Sequence, residues 1–242
     1  MRLAYSRPGG EETLRAMLER LHEEGFQALQ LKGPQYLGWV DRPPEEFRER
    51  YRSGEVMGLV VYEEDLERIA RTVRFMKAVG IPIISWVPNW QRGVVYPALA
   101  VDRLERVGQL AQRYGVRLTL HNHRGTVFQD DLDLEVFRLL VRSEYAAVTL
   151  DTAHFWLAGV RDIGRAIREY SELIEVVHLK DVSGEEFCPL GEGELPFREV
   201  FQALEAVGFR GWLVVDDEAT EVPVETAMSH ARRFLERYLP AS

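Results

Sequence analysis

The stretch Val177-His178-Leu179-Lys180-Asp181 has the pattern of a β-strand that ends in polar residues, and the fold follows from it. Side chains alternate between the two faces of a strand, so His178 and Lys180 share one face, with apolar residues on the other. Three further apolar runs also end in a His or an Asp: Leu118-Thr119-Leu120-His121, Val148-Thr149-Leu150-Asp151 and Leu213-Val214-Val215-Asp216. Two histidines and two aspartates, each at a strand end, predict one divalent-metal site at one rim of a barrel.

Strand and helix patterns alternate along the whole chain. Short apolar runs predict strands at about 2–5, 26–31, 56–62, 81–87, 116–121, 146–151, 174–180 and 211–216. Between them, apolar residues recur every three or four positions, as in Leu66, Ile69, Val73 and Met76. Further helices are expected at about 99–114, 133–142, 162–170, 197–207 and 224–238, and a short charged helix is expected after Pro43 and Pro44.

Eight apolar strands that alternate with eight helices are typical of a parallel sheet covered by helices. The eightfold repeat predicts an α/β fold closed as a (β/α)8 barrel, and 242 residues suit one such barrel. Because no linker or low-complexity tract divides the chain, residues 1–242 are expected to form a single domain.

Composition narrows the class of protein. Hydrophobic residues make up 46% of the chain, enough for a sizeable core. The net charge of −9 argues against a nucleic-acid partner, because phosphate neutralisation needs clustered Lys and Arg. The single cysteine, Cys188, leaves no internal disulfide, and neither a signal peptide nor a membrane-spanning run is recognisable. The expectation is a cytoplasmic protein that does not associate with a membrane.

The polar residues at the strand ends are candidates for an active site, because the active sites of such barrels lie at the C-terminal ends of the strands. Imidazole nitrogens and carboxylate oxygens suit divalent transition metals. We therefore predict that His121, Asp151, His178 and Asp216 bind one divalent ion, with Mn, Co and Zn as the candidates. A single strand-end His or Asp is more often a cap or a solvated loop residue, but four together are not explained that way.

Four segments of the second half of the chain carry a family resemblance. They are His121-Asn122-His123-Arg124-Gly125-Thr126, Leu150-Asp151-Thr152-Ala153-His154, His178-Leu179-Lys180-Asp181 and Leu190-Gly191-Glu192-Gly193-Glu194-Leu195-Pro196-Phe197. With these motifs the chain resembles the xylose-isomerase-like TIM barrels, which include sugar isomerases and epimerases, inosose dehydratases and, more distantly, endonuclease IV. The first motif is most similar to that of the inosose dehydratases.

The resemblance also implies where protons are moved. The epimerase branch carries one glutamate at the end of the fifth strand and one at the end of the eighth, and both act as metal ligands and as bases. This chain has His121 and Asp216 at these positions. Asp216 and Glu218, which would share its strand face, are therefore the candidate catalytic carboxylates. Lys180 is the candidate group that stabilises an enolate beside the metal, with a structural ion pair to Asp181 or a nearby Glu as the alternative.

Four aromatic side chains are candidates for binding a substrate. His123 and His154 lie in the resembling motifs, and His154 could hydrogen-bond a hydroxyl group, although a plain loop histidine is an equal alternative. Trp86 lies at the end of the fourth predicted strand and Trp156 shortly after the sixth, and indole rings can stack on sugar C–H surfaces. Core or interface packing is the alternative for both. Lys32, at the end of the second strand, could hold an anionic group, but a solvated strand-end lysine is the main expectation.

The predicted function is a divalent-metal-dependent sugar isomerase or epimerase that removes a proton next to a carbonyl group. An inosose dehydratase-like lyase is the alternative that shares this chemistry. An endonuclease IV-like phosphodiesterase and a sugar-binding barrel without turnover are the alternatives from other classes. The expected partner is a small polyhydroxy carbonyl substrate, a sugar or inositol derivative; a homo-oligomer stays open.

Overall fold

The structure is a computed structural model; it describes residues 1–219 and 221–239, with the backbone alone for residues 97–99. The strands are, in chain order, β1 (Arg2–Ser6), β2 (Ala28–Leu31), β3 (Val56–Val61), β4 (Ile83–Trp86), β5 (Arg117–His121), β6 (Ala146–Asp151), β7 (Ile174–Leu179), β8 (Asp181–Ser183), β9 (Glu186–Cys188) and β10 (Trp212–Asp216). The helices are α1 (Glu11–Arg20), α2 (Gly33–Tyr36), α3 (Pro44–Arg50), α4 (Leu66–Val79), α5 (Pro97–Arg113), α6 (Asp131–Leu140), α7 (Thr152–Leu157), α8 (Ile163–Glu169), α9 (Phe197–Ala206) and α10 (Val224–Leu235).

The strands close into one parallel barrel, in the order β1, β10, β7, β6, β5, β4, β3, β2 and back to β1. The two remaining strands, β8 and β9, pair antiparallel as a short hairpin directly after β7. The predicted (β/α)8 barrel is confirmed, because every predicted strand has its counterpart in the ring and every connection between ring strands carries a helix. The single domain over 1–242 stays a prediction, and its last residues, 240–242, lie outside the described part.

Local sequence signals set the ends of the elements. The Asp65 side chain accepts from the N–H groups of Glu67 and Arg68 and thereby caps the first turn of α4. Gly80 ends the same helix in the left-handed region at φ 81°, a conformation that other residues adopt at a cost. Strands such as β3 and β6 are buried at every position, because helices cover the outside and side chains fill the inside.

Several short elements were not predicted, among them a helix, a hairpin and a second short helix at the rim. The helix α7 begins immediately at the end of β6, and six residues are too few for an apolar period to show. The hairpin of β8 and β9 and the helix α2 are equally short. All three follow the C-terminal ends of barrel strands, where they shape the rim that holds the candidate site.

Side chains inside the barrel form layers. The lower layer is apolar and consists of Ala4, Ala28, Met57, Ile83, Val176, Trp212 and Val214. Above it, the Ser85 hydroxyl lies 3.1 Å from Thr119 Oγ1 and 3.0 Å from Thr149 Oγ1, and it accepts from Gln30 Nε2 at 2.9 Å. These buried groups hydrogen-bond to one another and make a polar floor beneath the rim, in which Gln30 Oε1 has no hydrogen-bond partner within the described part of the chain. Among the described residues, no helix has the length and apolar character needed to cross a membrane.

Candidate metal centre

The four residues predicted to bind a metal lie together above the polar floor. His121, Asp151 and Asp216 end β5, β6 and β10, and His178 is the next-to-last residue of β7. One ligand-type atom of each residue lies within 4.8 Å of the other three, and all four side chains are buried. Strand register explains the meeting, since Asp151 pairs with His178 across β6 and β7. The structure thus brings the predicted ligands together, while metal binding itself stays a prediction.

The spacing of the ligand atoms fits a small divalent ion. His121 Nε2 lies 3.0 Å from His178 Nδ1, and Asp151 Oδ2 lies 3.6 and 3.7 Å from these two nitrogens. Asp216 Oδ2 lies 3.6 Å from His178 Nδ1. In a tetrahedral site with bonds of about 2.0–2.1 Å, ligand atoms are about 3.4 Å apart. Asp151 Oδ2 is also buried without a hydrogen bond of ordinary geometry, and its charge is balanced by Lys180 Nζ at 3.2 Å.

The two imidazoles share a hydrogen between their facing nitrogens. Burial, together with the charge of His178, holds the pKa of His121 well below its usual range. Burial acts in the same direction on His178, but hydrogen bonds to Asp151 and Asp216 outweigh it and raise the pKa of His178. Which of the two nitrogens donates in this contact depends on the tautomers of the rings. Metal binding needs the lone pair of each nitrogen, so it would release this proton.

Two lysines neutralise the carboxylates of the site. Lys180 Nζ lies 2.6 Å from Asp216 Oδ2, 3.2 Å from Asp151 Oδ2 and 3.4 Å from Glu218 Oε1. Burial opposes the charge of Lys180, but the carboxylates outweigh burial and hold its pKa well above the usual range. Burial likewise opposes the charges of Asp151 and Asp216, and Lys180 outweighs it, so that the pKa of each carboxyl is well below its usual range.

Lys32 requires a correction, because it is not a solvated strand-end lysine. Its side chain is buried at the end of β2, and Nζ lies 2.7 Å from Asp216 Oδ1 and 2.5 Å from Glu218 Oε1. The sequence contained the signal, because Lys32 follows an apolar strand just as the four predicted ligands end theirs. Glu218 remains partly accessible, with 24% of its side chain exposed, and it lies between the two ammonium groups.

Asp181 has a structural role and is not the partner of Lys180. Its carboxylate accepts from the backbone N–H groups of Val182, Gly191, Gly193 and Leu195, at 2.9 to 3.2 Å. A Cβ at Gly193 would collide with this carboxylate, so the close approach requires glycine. Asp181 therefore fixes the Gly-x-Gly loop beside the site.

His154 and His123 form a pair of rings in contact at the rim, tilted by 35° to each other. Their ring centroids are 4.0 Å apart, and the ring of His154 lies 5.9 Å from that of His121. Burial lowers the pKa of His154 to about 3, so its ring is neutral near pH 7. His123 is partly exposed. The structure places both side chains next to the predicted metal ligands, where their role in substrate binding stays a prediction.

The structure does not support the sugar-stacking role expected for Trp86. Its neighbour Ser85 points into the barrel, so Trp86 points outward into the layer between strands and helices, where it is fully buried. Its indole N–H donates to the Glu63 carbonyl at 2.8 Å and is therefore not free for a hydroxyl group. The ring of Trp156 is partly buried and lies 4.2 Å from the guanidinium carbon of Arg161. A substrate contact of Trp156 stays a prediction.

Two buried residues beside the predicted ligands were given no role from the sequence. Asn122 follows His121, and both polar atoms of its side chain bond to the backbone of Asp151. Thr152 follows Asp151, and its hydroxyl accepts from Lys180 N at 3.0 Å. The signal was their position directly after an inward-facing site residue, but pairing across strands cannot be read from a single strand.

A closed parallel barrel with two imidazoles and two carboxylates at its C-terminal rim defines the class of protein: an α/β barrel with its polar site at the strand ends. The chain belongs to the xylose isomerase-like TIM barrel family, whose model matches residues 4–238. This confirms the resemblance inferred from the motifs.

Similar proteins carry the names of sugar-modifying enzymes. The inosose dehydratase of Geobacillus thermodenitrificans (strain NG80-2) is 32% identical over 161 residues, which are 57% of this chain and 53% of that protein. The inosose dehydratase of Klebsiella pneumoniae (strain 342) is 29% identical over 215 residues, 72% of this chain and 71% of that protein. The matched region thus spans about half the length of the first relative and more of the second.

Solved structures show the same fold at low identity. The IolI protein with a bound zinc atom superposes with a TM-score of 0.80 over 100% of both chains, at 18% identity. L-ribulose 3-epimerase superposes with a TM-score of 0.79 over 98% of this chain and 94% of that chain, at 16% identity. Both comparisons agree with the barrel described above.

Proposed function

We propose that the chain is a divalent-metal-dependent lyase that removes water from a small polyhydroxy ketone of the inosose type. The observation that carries the proposal is the cluster of His121, Asp151, His178 and Asp216 with Lys180 at its edge. Inosose dehydratases among the relatives support the substrate class. A bound divalent ion supplies Lewis-acid polarisation of a carbonyl oxygen, which acidifies the neighbouring C–H bond.

The charges of the site suit an anionic intermediate. Three carboxylates, Asp151, Asp216 and Glu218, face two ammonium groups, Lys32 and Lys180, so the protein contributes one net negative charge. A divalent ion reverses that balance to one positive charge, which an enolate would neutralise. In a buried site such fixed charges stabilise a developing anion more strongly than water does. We assign Lys180 to the enolate oxygen, because its ammonium group is already held beside two proposed ligands.

Glu218 is the proton acceptor that the geometry favours. Asp216 is buried and belongs to the ligand cluster, whereas Glu218 lies outside that cluster and keeps an exposed edge. A carboxylate that does not bind the ion is free to accept a proton from a neighbouring carbon. Asp216 is the second candidate for accepting the proton. In that case it would serve both as a ligand of the ion and as the base.

The placement of the carboxylates supports elimination over inversion of a carbon centre. Asp216 ends β10 and Glu218 follows two residues later, whereas β5 contributes His121, which is assigned to the proposed ion. Inversion of a carbon centre needs proton-transfer groups on both faces of the substrate. Elimination of water needs one base and an acid near the leaving hydroxyl, and we assign the partly exposed His123 to the acid, because the buried ring of His154 is neutral near pH 7.

Isomerisation of a sugar is the second candidate, because one base can move a proton along a single face. The shared fold with L-ribulose 3-epimerase keeps sugar substrates open. A phosphodiesterase is less favoured, since the described residues contain one cluster of four ligand-type side chains and the chain carries a net charge of −9.

A substrate panel in deuterated water tests the proposal. Protein freed of metal and then loaded with Mn, Co or Zn is offered inososes, ketoses, aldoses and an oligonucleotide with an abasic site. We expect an inosose to lose one water and a carbon-bound hydrogen only in the metal-loaded protein. Conversion of a ketose into an aldose, or of an aldose into a ketose, would establish the isomerase instead. Binding of sugars without exchange or turnover would leave a sugar-binding barrel, and cleavage of the oligonucleotide would contradict both reactions.

A further inference from the structure

The main-chain ladder between β5 and β6 ends just below the site. Its last rung is the bond from Asn122 N to Thr149 O, at 3.3 Å. Two residues further on, the backbone of Asp151 is fully buried and still needs hydrogen-bond partners. The end of β6 therefore extends beyond its main-chain ladder with β5, although Asp151 still pairs with His178 of β7 on its other side.

The side chain of Asn122 supplies the missing rung. Its Oδ1 accepts from Asp151 N at 2.6 Å, and its Nδ2 donates to Asp151 O at 3.2 Å. An amide side chain has the donor and acceptor of a peptide group, so it continues the ladder by one step. Asn122 is itself 1% exposed, so water cannot readily replace either bond.

This clamp leaves a single atom of Asp151 available to an ion. Asp151 Oδ1 accepts from His154 N at 2.9 Å and thereby caps α7. With its backbone held by Asn122 and one oxygen held by α7, the remaining oxygen, Oδ2, is aimed at His121 and His178. The direction of the ligand is thus set by groups that never touch the ion.

The same arrangement recurs around the rim, always on the residue that follows a site residue. Thr152 follows Asp151 and bonds through its hydroxyl to the Lys180 backbone N and O, at 3.0 and 2.7 Å. Asp217 follows Asp216, and its carboxylate accepts from Tyr5 Oη at 2.5 Å, which ties β10 to β1. Inward-facing residues form the site, and at three strand ends the adjacent residue, Asn122, Thr152 or Asp217, bonds to a neighbouring strand or its end.

We propose that Asn122 is a positioning residue that sets the metal affinity of the site through Asp151. The inference rests on the proposed function, since it assigns an ion to Asp151. Loss of an outer partner of a metal ligand typically lowers metal affinity by about 10- to 100-fold. Asn122→Leu keeps the size and branching of the side chain and removes both hydrogen bonds to the backbone of Asp151. A change in metal affinity in this variant therefore measures the effect of these two bonds.

Gln35 offers a matched control on the opposite side of the barrel. It is buried, its Oε1 accepts from Lys32 N at 2.9 Å, and its Nε2 donates to Arg7 O at 2.9 Å. Gln35→Leu therefore removes an equivalent amide clamp whose hydrogen bonds go to no proposed ligand. Both variants should lower the melting temperature, but only Asn122→Leu should weaken metal binding beyond about threefold.

The experiment titrates metal-free wild type, Asn122→Leu and Gln35→Leu with Mn²⁺, using the electron paramagnetic resonance signal of the free ion. We expect a dissociation constant raised about 10- to 100-fold in Asn122→Leu alone. Equal affinities in wild type and a folded Asn122→Leu would overturn the inference. So would equal losses in Asn122→Leu and Gln35→Leu, because they would reveal a general loss of stability. If Asn122→Leu does not fold, Asn122→Asp keeps the acceptor for Asp151 N and should give a smaller loss.

A metal-free measurement separates this inference from the proposed function. If the wild type binds no divalent ion, the proposed function fails, but the clamp can still be tested by amide hydrogen exchange of Asp151. We expect its N–H to exchange faster in Asn122→Leu than in the wild type, relative to the amides of β1. An unchanged exchange rate at Asp151 would overturn the clamp whatever the metal result.

Discussion

Replacing Lys180 by methionine tests the electrostatics of the site most sharply. The substitution keeps the length and apolar stem of the side chain and removes the ammonium group. That group lies 2.6 Å from Asp216 Oδ2 and 3.2 Å from Asp151 Oδ2, and the side chain is 3% exposed. After the change, three carboxylates would share the single positive charge of Lys32. The metal-free protein should therefore contain buried negative charge without a partner.

The magnitude follows from the distances and the burial. At about 3 Å and an effective dielectric constant of about 20, each ammonium–carboxylate pair contributes roughly 5 kcal/mol of attraction. Desolvation of the ammonium group offsets several kcal/mol of the two pairs. Removing one partner from a buried ion pair typically costs about 3–5 kcal/mol. For a chain of 242 residues, that loss lowers the melting temperature by roughly 10 °C.

Metal should reverse most of this loss, because a divalent ion also neutralises the carboxylates. We expect Lys180→Met without metal to melt roughly 10 °C below wild type and to recover most of the gap in saturating Mn²⁺. We also expect the turnover number of the metal-loaded variant to fall by about 10²-fold or more, the scale for loss of one group that stabilises an oxyanion. Calorimetry and steady-state kinetics measure the two effects separately.

Lys77→Met is the control for this experiment, because Lys77 is exposed on α4 and far along the chain from the site. It should match wild type in melting temperature and turnover. A metal-free Lys180→Met as stable as wild type would refute the charge argument. An unchanged turnover number in the metal-loaded variant would show that Lys180 does not stabilise the enolate and has only the structural role of an ion-pair partner.

Three further predictions concern single side chains. Glu218→Gln should abolish hydrogen exchange of the substrate with metal content unchanged, whereas Asp216→Asn should also lose metal; the reverse pattern would make Asp216 the base. Burial lowers the pKa of His154 to about 3, whereas the pKa of a histidine in the unfolded chain is about 6.5. Between these two pH values only the unfolded chain is protonated at this residue, so the free energy of unfolding falls as the pH drops. His154→Gln should therefore flatten the pH dependence of the unfolding free energy between about pH 6 and 4 by about 1 kcal/mol per unit, and an unchanged slope would contradict this. Burial raises the pKa of Cys188 to about 11, so the folded chain should react with iodoacetamide at pH 8 about 10²-fold more slowly than the urea-unfolded chain; equal rates would contradict the pKa.

The barrel was predictable because its signals are local. Each strand is a short apolar run, and the helices between them show apolar residues at helical spacing, so the order of elements could be read directly. The meeting of His121, Asp151, His178 and Asp216 followed from a rule of the fold, since all parallel strands end at one rim. Asp181 and Lys180 are neighbours in the chain but act on different sides, as strand alternation requires.

The rest of the site depends on contacts between strands that the sequence does not display. The buried state of Lys32 depends on Asp216 and Glu218, which are far away in the chain. The outward direction of Trp86 depended on which residue of its strand faces the barrel interior, and a shift of one position inverts that choice. The clamp of Asn122 on Asp151 became visible only when the register of β5 and β6 was known.

The most direct test of the account is the metal content of the protein. Chain purified without chelators, or reconstituted with Mn, Co or Zn and then freed of excess ion, should hold about one divalent ion, by elemental analysis. Asp151→Ala and His178→Ala should each hold none, because each removes a ligand atom from the cluster that lies within 4.8 Å. No metal in the wild type under any of these conditions, or an equal content in wild type and both variants, would contradict the proposed site.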